Sequence, residues 1–122
     1  MILADTSVWI DHFRSGDAQM RDQLQRGQIA THPLIVGELA LGSLRQRTRT
    51  LALLDQLPHV VLAHTSEVRH MIETRRLYGR GLGLVDAHLI ASAFLEPAVR
   101  LWTRDKQLRK VVTDFGIDSG LA

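Results

Sequence analysis

The chain has 122 residues, 45% apolar and 23% charged, the composition of one globular domain with a core, which excludes intrinsic disorder for its bulk. It has no cysteine, so disulfides, zinc-thiolate sites and thiol nucleophiles are excluded, and any metal must sit on oxygen or imidazole. Fifteen Lys and Arg against 13 Asp and Glu leave a net charge of +2, and 13 of the 15 bases are arginine, the better bidentate partner for phosphate.

In chain order, residues 1–4 are short and continuously apolar, the mark of a strand buried on both faces. No basic segment precedes Asp5, so this start does not read as a signal peptide, and no apolar run approaches the ~18 residues of a membrane span. An intracellular, cytoplasmic protein is expected. Asp5-Thr6-Ser7 is rich in capping residues, and Val8-Trp9-Ile10 with Phe13 predicts a short helix holding a Trp9–Phe13 contact. Gly16 ends it. Residues 17–26 read as a polar helix with Met20 and Leu24 inward, and residues 28–31 as a second short strand. Pro33 opens a helix, where its missing N–H does no harm. A further helix covers 48–56, and Pro58 introduces the apolar run Val60-Val61-Leu62. Thr65 and Ser66 are set to cap a helix reaching about Tyr78, with Val68, Met71, Ile72 and Arg75 on one face. After Gly79, Gly81 and Gly83, residues 84–94 form a strongly apolar helix stopped by Pro97. Residues 99–103 predict a strand and 105–115 a last helix. Apolar strands alternating with helices define an α/β fold with a parallel sheet in one domain, residues 1–122.

Four acids stand out by their surroundings. On the 84–96 helix, His88, Ser92 and Glu96 stack at i, i+4 and i+8 into a stripe expected to meet water, with His88 a surface histidine. Asp86 lies about 120° away, among Leu89, Ile90 and Ala93, either as a helix-start carboxylate or as part of a site. Glu38 is the only charged residue between Leu34 and Leu44, which marks a buried pair or a site. Asp5 and Asp105 each follow a strand, where ligands gather in parallel sheets, although each could simply cap the next helix. If all four converge, six like-charge pairs arise, each costing about 4 kcal/mol at ~4 Å and an effective dielectric near 20. Their total rivals a domain's whole stability of roughly 5–15 kcal/mol, so the cluster needs a cation or bound protons. Oxygen ligands without thiols favour Mg²⁺ or Mn²⁺. Setting the four aside leaves nine acids against 15 bases, a basic body around an acidic centre, which suits a phosphodiester such as RNA.

The sequence resembles the PIN-domain ribonucleases, in particular the VapC-type toxins of bacterial VapBC toxin–antitoxin pairs. The matching pieces are Met1-Ile2-Leu3-Ala4-Asp5-Thr6-Ser7, Glu38-Leu39, Val85-Asp86-Ala87-His88-Leu89-Ile90-Ala91 and Thr103-Arg104-Asp105, in register over nearly the whole chain. The resemblance implies a three-layer α/β/α sandwich around a short, mainly parallel sheet of four to five strands. It implies a metal-dependent endoribonuclease in which Asp5, Glu38, Asp86 and Asp105 form the acidic Mg²⁺ or Mn²⁺ site. Thr6, Ser7 and Thr103 would be its hydroxyl support, and Asp105 would act through water. Hydrolysis would leave 5′-phosphate and 3′-hydroxyl ends, with no histidine required. Where the family often places an acid and a Phe after the last aspartate, this chain has Lys106-Gln107-Leu108. Arg45, Arg47 and Arg49 are either phosphate contacts or a solvated cluster at a helix end. The implied partners are a VapB-type antitoxin whose tail fills the acidic site, RNA, and a second copy of the chain. Three other readings use the same residues: a non-catalytic pocket for a basic peptide, a DNA-processing nuclease, and a phosphotransferase with Asp5 as nucleophile. The last lacks the second acid of an Asp-x-Asp pair, since Asp5 is followed by Thr6-Ser7.

Overall fold

Strand β1 (Ile2–Ala4) takes the centre of a parallel sheet, and the rest of the chain wraps it in the order α1 (Thr6–Ser15), α2 (Ala18–Gln25), β2 (Ile29–Ala30), α3 (Pro33–Ala40), α4 (Arg47–Asp55), α5 (Thr65–Thr74), α6 (Leu84–Leu95), β3 (Arg100–Trp102) and α7 (Lys106–Asp114). The structure is a computed structural model describing residues 1–122. β1 pairs with β2 on one side and β3 on the other, with Leu3 opposite both Ala30 and Leu101. Neighbouring residues on a strand face opposite sides of a sheet. Leu3, Ala4, Ile29, Ala30, Leu101 and Trp102 are all at most 2% exposed, so both faces are covered and the layers run α/β/α. The apolar core is one cluster that runs from Leu3 to Ile117. No helix is long and apolar enough to cross a membrane.

The outer strands of the expected four to five survive only as single parallel bridges, Thr31 with His59 and Leu101 with Asp118. Side chains take the backbone groups that a ladder would need. After Pro58, the Val61 amide donates to the Glu96 carboxylate, and the Val61 carbonyl accepts from the Ser92 hydroxyl at 2.7 Å. Beyond Gly116, the guanidinium groups of Arg104 and Arg109 take the carbonyls of Ala122 and Leu121 at 3.1 Å. The first pair of contacts also corrects the expected wet stripe on α6. Ser92 is fully buried and Glu96, though partly open to solvent, is bonded to the chain, so the stripe packs on the segment after Pro58.

Most helix starts follow local chemistry. Asp5, Asp17 and Asp105 cap α1, α2 and α7 with their side chains, and Trp9 stacks on Phe13 at 5.5 Å between centroids. The start of α5 shifts by one residue: His64, not Thr65 or Ser66, is the N-cap, and its amide donates to Glu67 at 2.9 Å. The end of α5 also comes early, at Thr74. Leu77 donates to the Ile72 carbonyl and Arg76 to that of Glu73, a Schellman stop with Arg76 in the left-handed region at φ 53. The same stop closes α2 at Gly27 and α7 at Gly116, where glycine adopts the turn freely. At α5 the 4% exposed Leu77 is the anchor, and its burial holds a non-glycine residue in an unfavourable conformation.

Candidate active site

Asp5 leaves β1 with its amide still bonded to the Trp102 carbonyl, which fixes its side chain at the carboxyl edge of the sheet. It is 5% exposed. Its Oδ1 accepts from the Ser7 amide at 2.9 Å, the Ser7 hydroxyl at 2.5 Å and the Val8 amide at 3.4 Å. Its Oδ2 accepts from the Thr103 hydroxyl at 2.5 Å. Both hydroxyls are themselves acceptors, Ser7 Oγ from the Arg104 amide at 2.9 Å and Thr103 Oγ1 from the Asp105 amide at 3.0 Å. A hydroxyl has one proton to give, so these two amides turn both protons toward Asp5. The first strand end and the third are thereby tied through one carboxylate.

Asp105 caps α7, its Oδ1 accepting from Leu108 at 2.9 Å. Asp86 sits in the first turn of α6, its Oδ2 accepting from the Gly83 amide at 3.0 Å, so the helix-start reading holds for one of its two oxygens. Burial lifts the Asp86 carboxyl above the usual range, the Gly83 amide opposes this, and the charges of Asp5 and Asp105 add to the rise. Glu38, on α3, reaches solvent, yet it too is raised, by desolvation and then by Asp86 and Asp5, with the Thr6 hydroxyl working against them. Carboxylates from four separate elements therefore feel one another's charge at this edge.

No three acidic or imidazole side chains close on a common point at ligand distance. That differs from a single four-carboxylate ligand set, and hydrogen bonding explains it: the oxygens of Asp5 turn to Ser7, Val8 and Thr103, and one oxygen each of Asp86 and Asp105 turns to a backbone amide. The donor chemistry nevertheless fits a hard cation. Every candidate ligand is a carboxylate oxygen, and Mg²⁺ characteristically binds through one or two carboxylates while keeping several waters.

The three arginines separate. Arg47 is spent on α3, donating to the carbonyls of Ala40 at 2.5 Å and Gly42 at 3.2 Å, so it supports the helix that carries Glu38. Arg45 lines a cleft of about 650 Å³ that also takes in Glu38, Ile10, Phe13 and Leu39. Arg49 stays exposed at a shallow groove beside Arg47 and Thr48. Of the histidines, His88 is half-buried rather than on the surface, 6.2 Å from the ring of His32. His32 is 3% exposed and caps α3, its Nδ1 accepting from Leu34 at 3.0 Å. Burial, with the charges of His88 and His59, pushes its pKa down to about 4.

Sequence reasoning passed over Arg104. Its guanidinium pairs with Asp11 at 2.8 Å and Asp17 at 2.7 Å and lies over the Trp102 ring, while its amide holds Ser7. It clamps α1 and the start of α2 to the end of β3, and so positions the residues that position Asp5. Its place between Thr103 and Asp105 was the only signal, because neither acidic partner is near it in sequence.

A parallel sheet whose carboxyl edge gathers acids from four elements is the architecture of the PIN domain, and the model of that family matches residues 2–113. The chain belongs to the PIN-domain family. Two curated relatives, each named Ribonuclease VapC32, come from Mycobacterium tuberculosis strains CDC 1551 / Oshkosh and ATCC 25618 / H37Rv. Each is 46% identical over 117 residues, covering 96% of this chain and 94% of the relative.

Proposed function

We infer that the chain is a metal-dependent endoribonuclease and the toxin half of a type II toxin–antitoxin pair. One observation carries the reading: in a chain 46% identical to a ribonuclease along nearly its whole length, carboxylates from four elements repel one another at the carboxyl edge of the sheet. Such repulsion is tolerable when a divalent ion, Mg²⁺ or Mn²⁺, offsets it.

Asp5 and Asp86 would hold the ion, with Glu38 and Asp105 acting on it through water. When bound, the ion supplies Lewis-acid activation of water and of the phosphate. The chain's own part is preorganisation. Ser7 and Thr103 fix both oxygens of Asp5, Gly83 fixes one oxygen of Asp86, and Leu108 fixes one of Asp105, so little reorganisation remains when a phosphodiester arrives. The basic remainder of the surface draws in the strand. A single domain over residues 1–122 is supported by the one continuous core. The toxin role carries with it an antitoxin partner of the VapB type. The cleft beside Glu38, with apolar walls and the guanidinium of Arg45, suits an amphipathic segment of such a partner. A homodimer belongs to the same reading.

The test is digestion of labelled RNA and matched single-stranded DNA by purified protein with Mn²⁺. Cleavage of RNA that disappears with EDTA and with Asp5→Asn supports the reading. Equal cleavage of DNA would make it a nuclease without the 2′-hydroxyl requirement, and no cleavage of either would leave a binding pocket.

A further inference from the structure

Between α5 and α6 the chain crosses the surface as a loop of residues 78–82, with Gly79 at φ 71 and Gly81 at φ 76. Leu77 before it and Gly83 after it donate their amides to Ile72 and Asp86. Tyr78 and Gly79 form a tight turn closed by the Arg80 amide, and the other four amides between them donate to no protein acceptor. Consecutive free N–H groups in a turn of this kind form a concavity of positive partial charge. Here the loop faces α7 across a pocket of about 360 Å³ lined by Gly79, Arg80, Gly81, Gln107 and Lys110. Asp114 beside the pocket is already paired with Arg80 at 2.9 Å, and Lys110 makes no ion pair. A methyl group added at Gly81 would stand 3.3 Å from the Gln107 side chain, so the loop and α7 approach closely there.

The pocket adjoins the acidic centre on both walls. Its loop runs into Gly83, which holds Asp86, and its helix starts at Asp105. At 1.5 Å per residue, Lys110 lies about 7.5 Å along α7 from Asp105. We propose that loop 78–82, with Gln107 and Lys110, is a phosphate subsite that grips the backbone of the RNA strand next to the bond being cut. The proposal rests on the nuclease reading and gives that site a hold on the substrate outside the acidic centre.

The experiment has two readouts. In the first, KM and kcat for RNA cleavage are measured for the parent, Lys110→Gln and, as a charge control at an exposed position of α5, Arg69→Gln. Lys110→Gln should raise KM about fivefold to tenfold with kcat unchanged, and lower the slope of log affinity against log salt by about one, while Arg69→Gln changes neither. In the second, the backbone amides of the unmodified chain in EDTA are followed by NMR while a short RNA is added, with inorganic phosphate in a parallel titration. The amides of residues 78–82 should shift with RNA at far lower concentration than with phosphate. Loop shifts without any cleavage would keep the subsite and overturn the nuclease reading. Cleavage with silent loop amides, an unchanged Lys110→Gln KM, or a preference for free phosphate would overturn the subsite.

Discussion

Thr103→Val removes one hydroxyl and keeps the shape of the side chain, which isolates what that hydroxyl contributes. Thr103 is 1% exposed and its Oγ1 is the sole donor to Asp5 Oδ2 and the acceptor for the Asp105 amide. A hydrogen bond to a charged group contributes about 1.5–3 kcal/mol, and an amide left without a partner costs about 1 kcal/mol when only partly buried. A net loss of about 2.5–4 kcal/mol follows. At ~2.1 cal/mol/K per residue the unfolding entropy of a 122-residue chain is about 0.26 kcal/mol/K, so the melting temperature should fall by about 10–15 °C. Thr103→Ser keeps the hydroxyl and loses a buried methyl, a cost of about 1 kcal/mol. Calorimetry in EDTA, which keeps metal binding out of the comparison, should therefore rank the parent first, Ser next and Val last. RNA cleavage should follow the same order, since Asp5 and Asp105 both lose their alignment in the Val variant. A Val variant that melts with or above the Ser variant would refute the argument that this hydroxyl holds the two strand ends together.

Asp86→Asn should abolish RNA cleavage yet raise the melting temperature of metal-free protein at pH 7. The folded-state pKa of Asp86 lies above its unfolded value, so its contribution is favourable at low pH and is lost as pH rises through the folded value. Asn removes that loss and can still accept from Gly83, and a lower melting point in EDTA would contradict the repulsion at the site. His32 has the opposite sign. With a folded pKa near 4 against 6.5, its contribution is intact above pH 6.5 and is lost as pH falls toward 4, with a limiting slope of about 1.4 kcal/mol per pH unit. His32→Asn, which keeps a capping acceptor, should flatten that acid limb in urea titrations at pH 4–7. Arg76→Gly should raise stability by up to about 1 kcal/mol, because glycine occupies the φ 53 position without strain, and unchanged chemical denaturation would show that the position is already relaxed.

The sequence by itself determined most features whose cause lies within a few residues. The apolar runs that end at Asp5 and Thr103, proline at the start of α3, glycine at the end of α1 and aspartate at three N-caps were all legible, because caps and buried strands are local physics. Glu38 and Asp86 were also legible as misfits in their own segments, and Asp5 and Asp105 by following strands. Features fixed by distant partners were not. Ser92 and Glu96 looked like a solvated stripe until Val61, more than 30 residues away, took both side chains. Arg104 was only a spacer between two motif residues until Asp11, 93 positions earlier, met it. Which carboxylate oxygens stay free, and which surface polar groups are already spent, depends on groups that share no stretch of chain, so only the folded arrangement could decide them.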